Sequence, residues 1–132
     1  MTRQTIATGS RYEELMGYSR AVLAQGTIYV SGCSGLPPDI DTAGPGDAAA
    51  QLAYAVTKVS RILEQAGATL ADVVRTRLYL TDDADWDALI AAHGRAFGAV
   101  RPACTMVQVS RLIDTRMKIE LEVTAIAGVS AE

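Results

Sequence analysis

The chain has 132 residues, with 12 Lys+Arg against 15 Asp+Glu for a formal charge of −3. That length predicts one domain spanning residues 1–132, and the acidic balance supplies no broad positive field for a nucleic-acid partner. Two cysteines, Cys33 and Cys104, and a single histidine, His93, exclude a disulfide scaffold and leave a His- or Cys-based metal centre without ligands.

Hydrophobic residues make up 49% of the chain, and 22 of its residues are Ala while only one Phe and one Trp occur. Such a composition favours close packing of helices on a sheet, or of subunits on one another, over a large aromatic core. No run of about 18 apolar residues is present to span a membrane. The start MTRQTIATGSRYEE carries no apolar signal segment, so a cytoplasmic location is the expectation. Neither a Walker loop nor GxGxxG occurs, and no cofactor is expected.

The first dozen residues are polar and predict no element. Residues 18–24 and 27–31 read as short strands joined at Gln25-Gly26, a hairpin. Gly32, Gly35, Pro37, Pro38, Gly44, Pro45 and Gly46 then punctuate a long loop, a length usually reserved for functional segments. From Asp47 to about Ala66, Leu52, Val56, Val59, Leu63 and Ala66 recur at helical spacing as one stripe, with Gln51, Lys58 and Arg61 on the remainder. Gly67 supplies the helix stop.

Residues 73–80 predict a strand with Val74, Thr76, Leu78 and Leu80 on one face and Arg75, Arg77 and Tyr79 on the other. Asp82 or Asp83 caps a second helix, on which Trp86, Leu89 or Ile90, His93 and Phe97 share a side. Residues 105–109 alternate as a strand. Residues 117–127 are long enough for a central one, with Leu121, Val123, Ala125 and Ala127, joined by Ile119, on one side and Glu120, Glu122, Thr124 and Ile126 on the other. The order predicts an α+β domain in which two helices cover one face of a mixed sheet. The mixed polarity of the other face suits an oligomer interior or a ligand cleft.

Several side chains carry alternative readings. Glu120 is a solvated strand residue or a carboxylate in a half-enclosed cleft, where burial and Glu122 would raise its pKa toward the range of a general acid or base. Tyr18 is a hairpin aromatic or a ligand-facing phenol. Cys33 and Cys104 are inert thiols or nucleophiles that would need a base beside them. Arg20, Arg77, Arg95 and Arg101 are solvated guanidinium groups or anion receptors. His93, on the apolar side of its helix, reads as a packed histidine hydrogen-bonded once to the backbone, in preference to a catalyst.

Taken together, Gly17-Tyr18-Ser19-Arg20-Ala21-Val22, Ile28-Tyr29-Val30-Ser31-Gly32, Val73-Val74-Arg75-Thr76, Arg101-Pro102-Ala103 and Met117-Lys118-Ile119-Glu120-Leu121-Glu122 resemble the Rid family, also called the YjgF/YER057c/UK114 family, over nearly the whole chain. The resemblance implies a chorismate-mutase-like fold assembled as a homotrimer with small-molecule clefts between subunits. It also implies hydrolysis of reactive enamines and imines such as 2-aminoacrylate, with Glu120 holding the attacking water, Tyr18 in the cleft, and Ser31 and Gly32 at its border. One element departs from the pattern: Cys104 stands where the deaminases carry the arginine that clamps a substrate carboxylate, and a thiol cannot replace a bidentate guanidinium. Ala91 likewise replaces an asparagine of the second helix.

Three functions remain. The first is an imine or enamine hydrolase whose substrate lacks that carboxylate or binds it through Arg20 or Arg101. The second is a hydrolase of another electrophilic carbon using Glu120 with Cys33 or Cys104. The third is a trimeric metabolite-binding protein without turnover. The endoribonuclease activity attached to the family's name is disfavoured by the acidic charge and the lack of a histidine pair.

Overall fold

The computed structural model describes residues 2–129; the terminal Ser130, Ala131 and Glu132 lie outside it. Six strands form one sheet in the order β1-β2-β3-β6-β4-β5. They span Arg3–Ile6 (β1), Ala21–Ala24 (β2), Thr27–Ser34 (β3), Val73–Leu80 (β4), Ala103–Gln108 (β5) and Ile119–Ile126 (β6). Only β4 and β5 run parallel, so the sheet is mixed, as expected. The helices are α1 (Arg11–Met16), α2 (Ile40–Ala43), α3 (Ala48–Gln65) and α4 (Trp86–Phe97).

The hairpin forms where Gln25-Gly26 predicts it. Ala24 pairs with Thr27 across a two-residue turn, and both turn residues take positive φ, 52° and 79°. That geometry matches the right-handed twist of the flanking strands. At the end of α3, Gly67 at φ +82° lets its amide reach Glu64 O (3.1 Å) and the Ala68 amide reach Leu63 O (2.8 Å). These two bonds satisfy carbonyls that the helix leaves open.

Two strands carry an extra residue relative to β6. Val30 pairs with Val123 and Cys33 with Leu121, so Ser31 and Gly32 together stand opposite Glu122. On the other side Val73 pairs with Ala125 and Arg75 with Thr124, which leaves Val74 extra. Such bulges shift side-chain parity. Hence Val73, not Val74, is buried with Thr76, Leu78 and Leu80, which corrects one position of the expected face. β6 itself alternates without a break, burying Ile119, Leu121, Val123 and Ala125.

α3 packs over β3 and β6 and against α4. Its buried stripe is Ala48, Leu52, Ala55, Val59, Ile62 and Leu63, rotated slightly from expectation so that Val56 and Ala66 lie at its margin. α4 is capped by Asp85, whose carboxylate accepts from Ala88 N at 3.0 Å, so it starts two or three residues later than a cap at Asp83 or Asp82 would start it. Leu89, Ala92 and Phe97 face the core, while Trp86 and Ile90 are exposed. β1 and α1 arise in the polar opening segment that predicted no element. Ser10 and Glu13 form a capping box, so the Ser-x-x-Glu spacing marks the start of α1 in the sequence.

Gln51 is the main buried polar residue that the helical pattern misassigns, because it is 0% exposed. Its amide nitrogen donates to Arg116 O (3.0 Å) and Gly46 O (3.3 Å), and its oxygen accepts from Lys118 N (2.8 Å). One side chain thereby fastens the loop before α3 to the loop before β6. Gly35 lies so close to the Gln51 backbone that an added Cβ would strike it. Replacing Gln51→Leu strands three backbone groups, and we expect a loss of about 3 kcal/mol, seen as a lower urea midpoint at unchanged slope.

Candidate functional site

α1, β3 and β6 build a cleft on the sheet face away from α3. Tyr12, Met16 and Tyr18 line one side of a cavity of about 330 Å³; Ser31, Gly32 and Glu120 form its floor, and Ile113 closes it from the loop before β6. Four expected site residues, Tyr18, Ser31, Gly32 and Glu120, therefore meet. Tyr12, Met16 and Ile113 join them without any sequence signal beyond their apolar bulk.

Arg20 fixes the geometry of this wall. Its Nη1 donates to the Gly32 carbonyl at 2.6 Å and its Nη2 to the Tyr18 hydroxyl at 3.0 Å. The same guanidinium lies 5.4 Å from the Tyr18 ring centroid and 3.8 Å from Glu13. Glu13 in turn accepts from Thr8 N, Thr8 Oγ1 and Ser10 N. Burial pushes the Glu13 carboxyl up, but these bonds and Arg20 outweigh it and hold the pKa below the ordinary value. An ionised Glu13 beneath Arg20 is what allows a half-buried guanidinium to sit here.

Because the Tyr18 oxygen accepts from Arg20, its own proton is free to donate into the cleft. Ser31 Oγ donates to Ser19 O at 2.7 Å, so its remaining lone pairs are acceptors. At Gly32 an added Cβ would lie 2.5 Å from Glu120 Oε1; the missing side chain is the space the carboxylate occupies.

Glu120 and Glu122 share a strand and a face but have different surroundings. Glu122 accepts from Arg77 Nη1 at 2.7 Å and from the Tyr79 hydroxyl at 2.9 Å. No described residue donates to Glu120. Burial pushes its pKa above the ordinary 4.5; Arg20 pulls it down, and the charge of Glu122 adds to the rise. A carboxylate that is desolvated, unbonded and open to a cleft is chemically a base waiting for a proton donor, such as water.

The other candidates lie elsewhere. Cys33 is buried beside Arg20, with Nη1 3.8 Å from its Sγ, and burial pushes its thiol pKa up despite Arg20 and Lys58. It stays a thiol at neutral pH and makes a poor nucleophile. Arg101 and Cys104 are exposed, at the start of edge strand β5, with β4 between them and β6. Within one chain they line none of the described cavities that contain Glu120. His93 bonds Thr76 Oγ1 at 2.8 Å and stacks 4.8 Å from Phe97; burial pushes its pKa down, so it is a neutral packing residue on the helix side. Among the described residues no cluster of His, Cys, Asp and Glu could hold a metal ion, and no helix is long and apolar enough to cross a membrane.

Comparison with known proteins gives consistent matches over this architecture. The sequence profile of the family described as Endoribonuclease L-PSP matches residues 8–127. A Rattus norvegicus protein named 2-iminobutanoate/2-iminopropanoate deaminase is 32% identical over 126 residues, covering 96% of this chain and 91% of the relative. The 3-aminoacrylate deaminase RutC of Acinetobacter baylyi is 34% identical over 109 residues, 83% of this chain and 86% of the relative. The crystal structure of a Mycobacterium tuberculosis member of the YjgF/YER057c/UK114 family superposes with a TM-score of 0.83 at 40% identity, covering 96% of this chain and 100% of that one.

The raised pKa of Glu120 has a consequence for stability. The fold favours the protonated carboxyl, so that contribution is complete below the unfolded value and is lost as pH rises through the folded one. Glu120→Gln should melt at a higher temperature than the parent at pH 7. The gap should close as the solution is acidified below about pH 4, which calorimetry across pH would read.

Proposed function

The chain belongs to the Endoribonuclease L-PSP, or YjgF/YER057c/UK114, family, and from that membership we propose that it hydrolyses reactive imines or enamines to a carbonyl product and ammonia. The observation that carries this reading is Glu120, a half-buried carboxylate that no described residue hydrogen-bonds, lying over Gly32 in a cleft walled by Tyr18. The names of the deaminase relatives support it.

In the proposed reaction ionised Glu120 takes a proton from water while the water oxygen bonds to the C=N carbon and the C=N electron pair moves to nitrogen. Glu120 passes that proton to nitrogen, giving a tetrahedral amino alcohol. A second transfer through the same carboxylate, from hydroxyl to nitrogen, lets the C–N bond break as C=O forms. Ammonia leaves and Glu120 is regenerated; an enamine enters by first tautomerising to the imine. The Tyr18 proton steadies the developing charge on the heteroatom.

The anchor for the rest of the substrate is where this chain departs from the family pattern. Arg20 is engaged by Gly32, Tyr18 and Glu13. In the proposed homotrimer, working in the cytoplasm, the β5 edge of one copy closes the cleft of the next and delivers Arg101 and Cys104 to it. The open sheet face that carries Glu122 supports such assembly, since no described helix covers it and it displays apolar side chains. Tyr29 and Val107 remain exposed on it. With Cys104 in place of the clamp, the substrate is held by Arg101 or lacks the carboxylate. That same replacement favours a second reading, a trimeric binder of small metabolites without turnover. Hydrolysis through Cys33 loses support from its burial and protonation, and ribonuclease chemistry from the placement of His93.

Purified protein should accelerate the decay of enzymatically generated 2-iminopropanoate or a related imine over the spontaneous rate, and Glu120→Gln should abolish that acceleration; saturable binding without product would select the second reading. The rate should rise with pH along an acidic limb displaced above the ordinary carboxyl value, because the base works ionised and its pKa is raised. If the missing clamp limits activity on 2-aminoacrylate, Cys104→Arg should raise kcat/KM by about tenfold or more, the scale of one charged hydrogen-bonded pair.

A further inference from the structure

The largest described cavity is not the Glu120 cleft. It encloses about 440 Å³ on the helix side of β3, between that strand, the 8–10 segment and α3, a size typical of small-molecule sites. Tyr54, Lys58, Arg61 and Gln65 follow one another at four, three and four residues, so a single stripe of α3 supplies one whole wall. Arg20 closes the end shared with the cleft.

The charge of this cavity is one-sided. Arg20, Lys58 and Arg61 line it and no Asp or Glu does, in a chain whose net charge is −3. Lys58 has no carboxylate partner among the described residues: its ammonium donates to Ser34 Oγ at 3.4 Å and lies 5.3 Å from the Tyr54 ring centroid. Arg61 has no hydrogen-bond or ion-pair partner there either. Burial, with Arg20 beside it, pushes the Lys58 pKa down, as expected for a cation with no carboxylate partner of its own; among the described residues Arg20 alone of the three has one, Glu13. A concave wall of this kind concentrates positive potential and draws in anions.

We propose that this cavity is a second binding site, which takes a small organic anion with a carboxylate or phosphate head held by Lys58 and Arg61 and an apolar body against Tyr54 and Ile62. It adjoins the Glu120 cleft at Ser10, Arg20 and Ser34, while its α3 wall lies apart from Glu120.

Titration of the full-length protein with inorganic phosphate, and separately with succinate, tests this by calorimetry and by amide shifts in NMR spectra. We expect saturable binding of at least one anion, with the shifts centred on residues 54–65. The double variant Lys58→Gln/Arg61→Gln should bind about tenfold more weakly or worse, while Arg95→Gln, exposed on α4, binds as the parent does. Tighter phosphate binding identifies a phosphate head, and tighter succinate binding a carboxylate one. Absence of saturation by both anions, or equal affinity in a folded double variant, overturns the proposal. Should the double variant fail to fold, Arg61→Gln at its exposed position gives the same comparison. Failure of the hydrolysis reading would show in turnover assays and leave this titration unaffected.

Discussion

The cleft depends on Arg20 more than on any residue facing it. A guanidinium can bridge groups that diverge in direction because its donors are fixed in a plane. Here that plane joins the carbonyl of a bulged strand to a phenol beyond the end of a two-turn helix, with Glu13 supplying the counter-charge. α1 buries only Glu13, so hydrophobic packing does little to locate it. The electrostatic contact sets where the wall stands, and the wall determines what Glu120 faces.

Two carboxylates two residues apart illustrate how surroundings assign roles. Glu122 is tied by Arg77 and Tyr79 into the β4–β6 pairing and behaves as a structural anion. Glu120 receives no such bonds and is partly desolvated where it faces the cleft. The cost of holding it there is the usual cost of a reactive group: a site that performs proton transfer is less stable than its inert isostere.

Much of this was legible in the residues. The Gln25-Gly26 turn, the stop at Gly67, the alternation of β6 and the meeting of Tyr18, Ser31, Gly32 and Glu120 at one cavity all follow from short-range rules or from the family resemblance. The failures have specific physical causes. α1 is held by polar contacts, and β1 exposes most of its residues, so neither leaves a hydrophobic period to detect. Gln51 looks like a surface residue because its partners, at 46, 116 and 118, come from distant loops. Val73 and Val74 exchange places because a bulge is decided by pairing with β6, which local sequence does not encode. Arg101 and Cys104 stand apart from Glu120 because β4 lies between β5 and β6, a strand order that local sequence does not encode.

The two bulges give the sheet an unequal tolerance to changes in length. β6 is the straight-ruled member, with an extra residue against it on each side, at Ser31-Gly32 in β3 and at Val74 in β4. A one-residue insertion or deletion in either flanking strand has a place to be absorbed, since the pairing is already out of step there. In β6 the same event would turn every buried aliphatic toward the cleft and every carboxylate into the core. Length variation among descendants of this chain is thereby channelled to the flanking strands, and in β3 the place that absorbs it is also the floor of the pocket. Small indels there can remodel what the cleft admits while leaving the aliphatic layer beneath α3 in register.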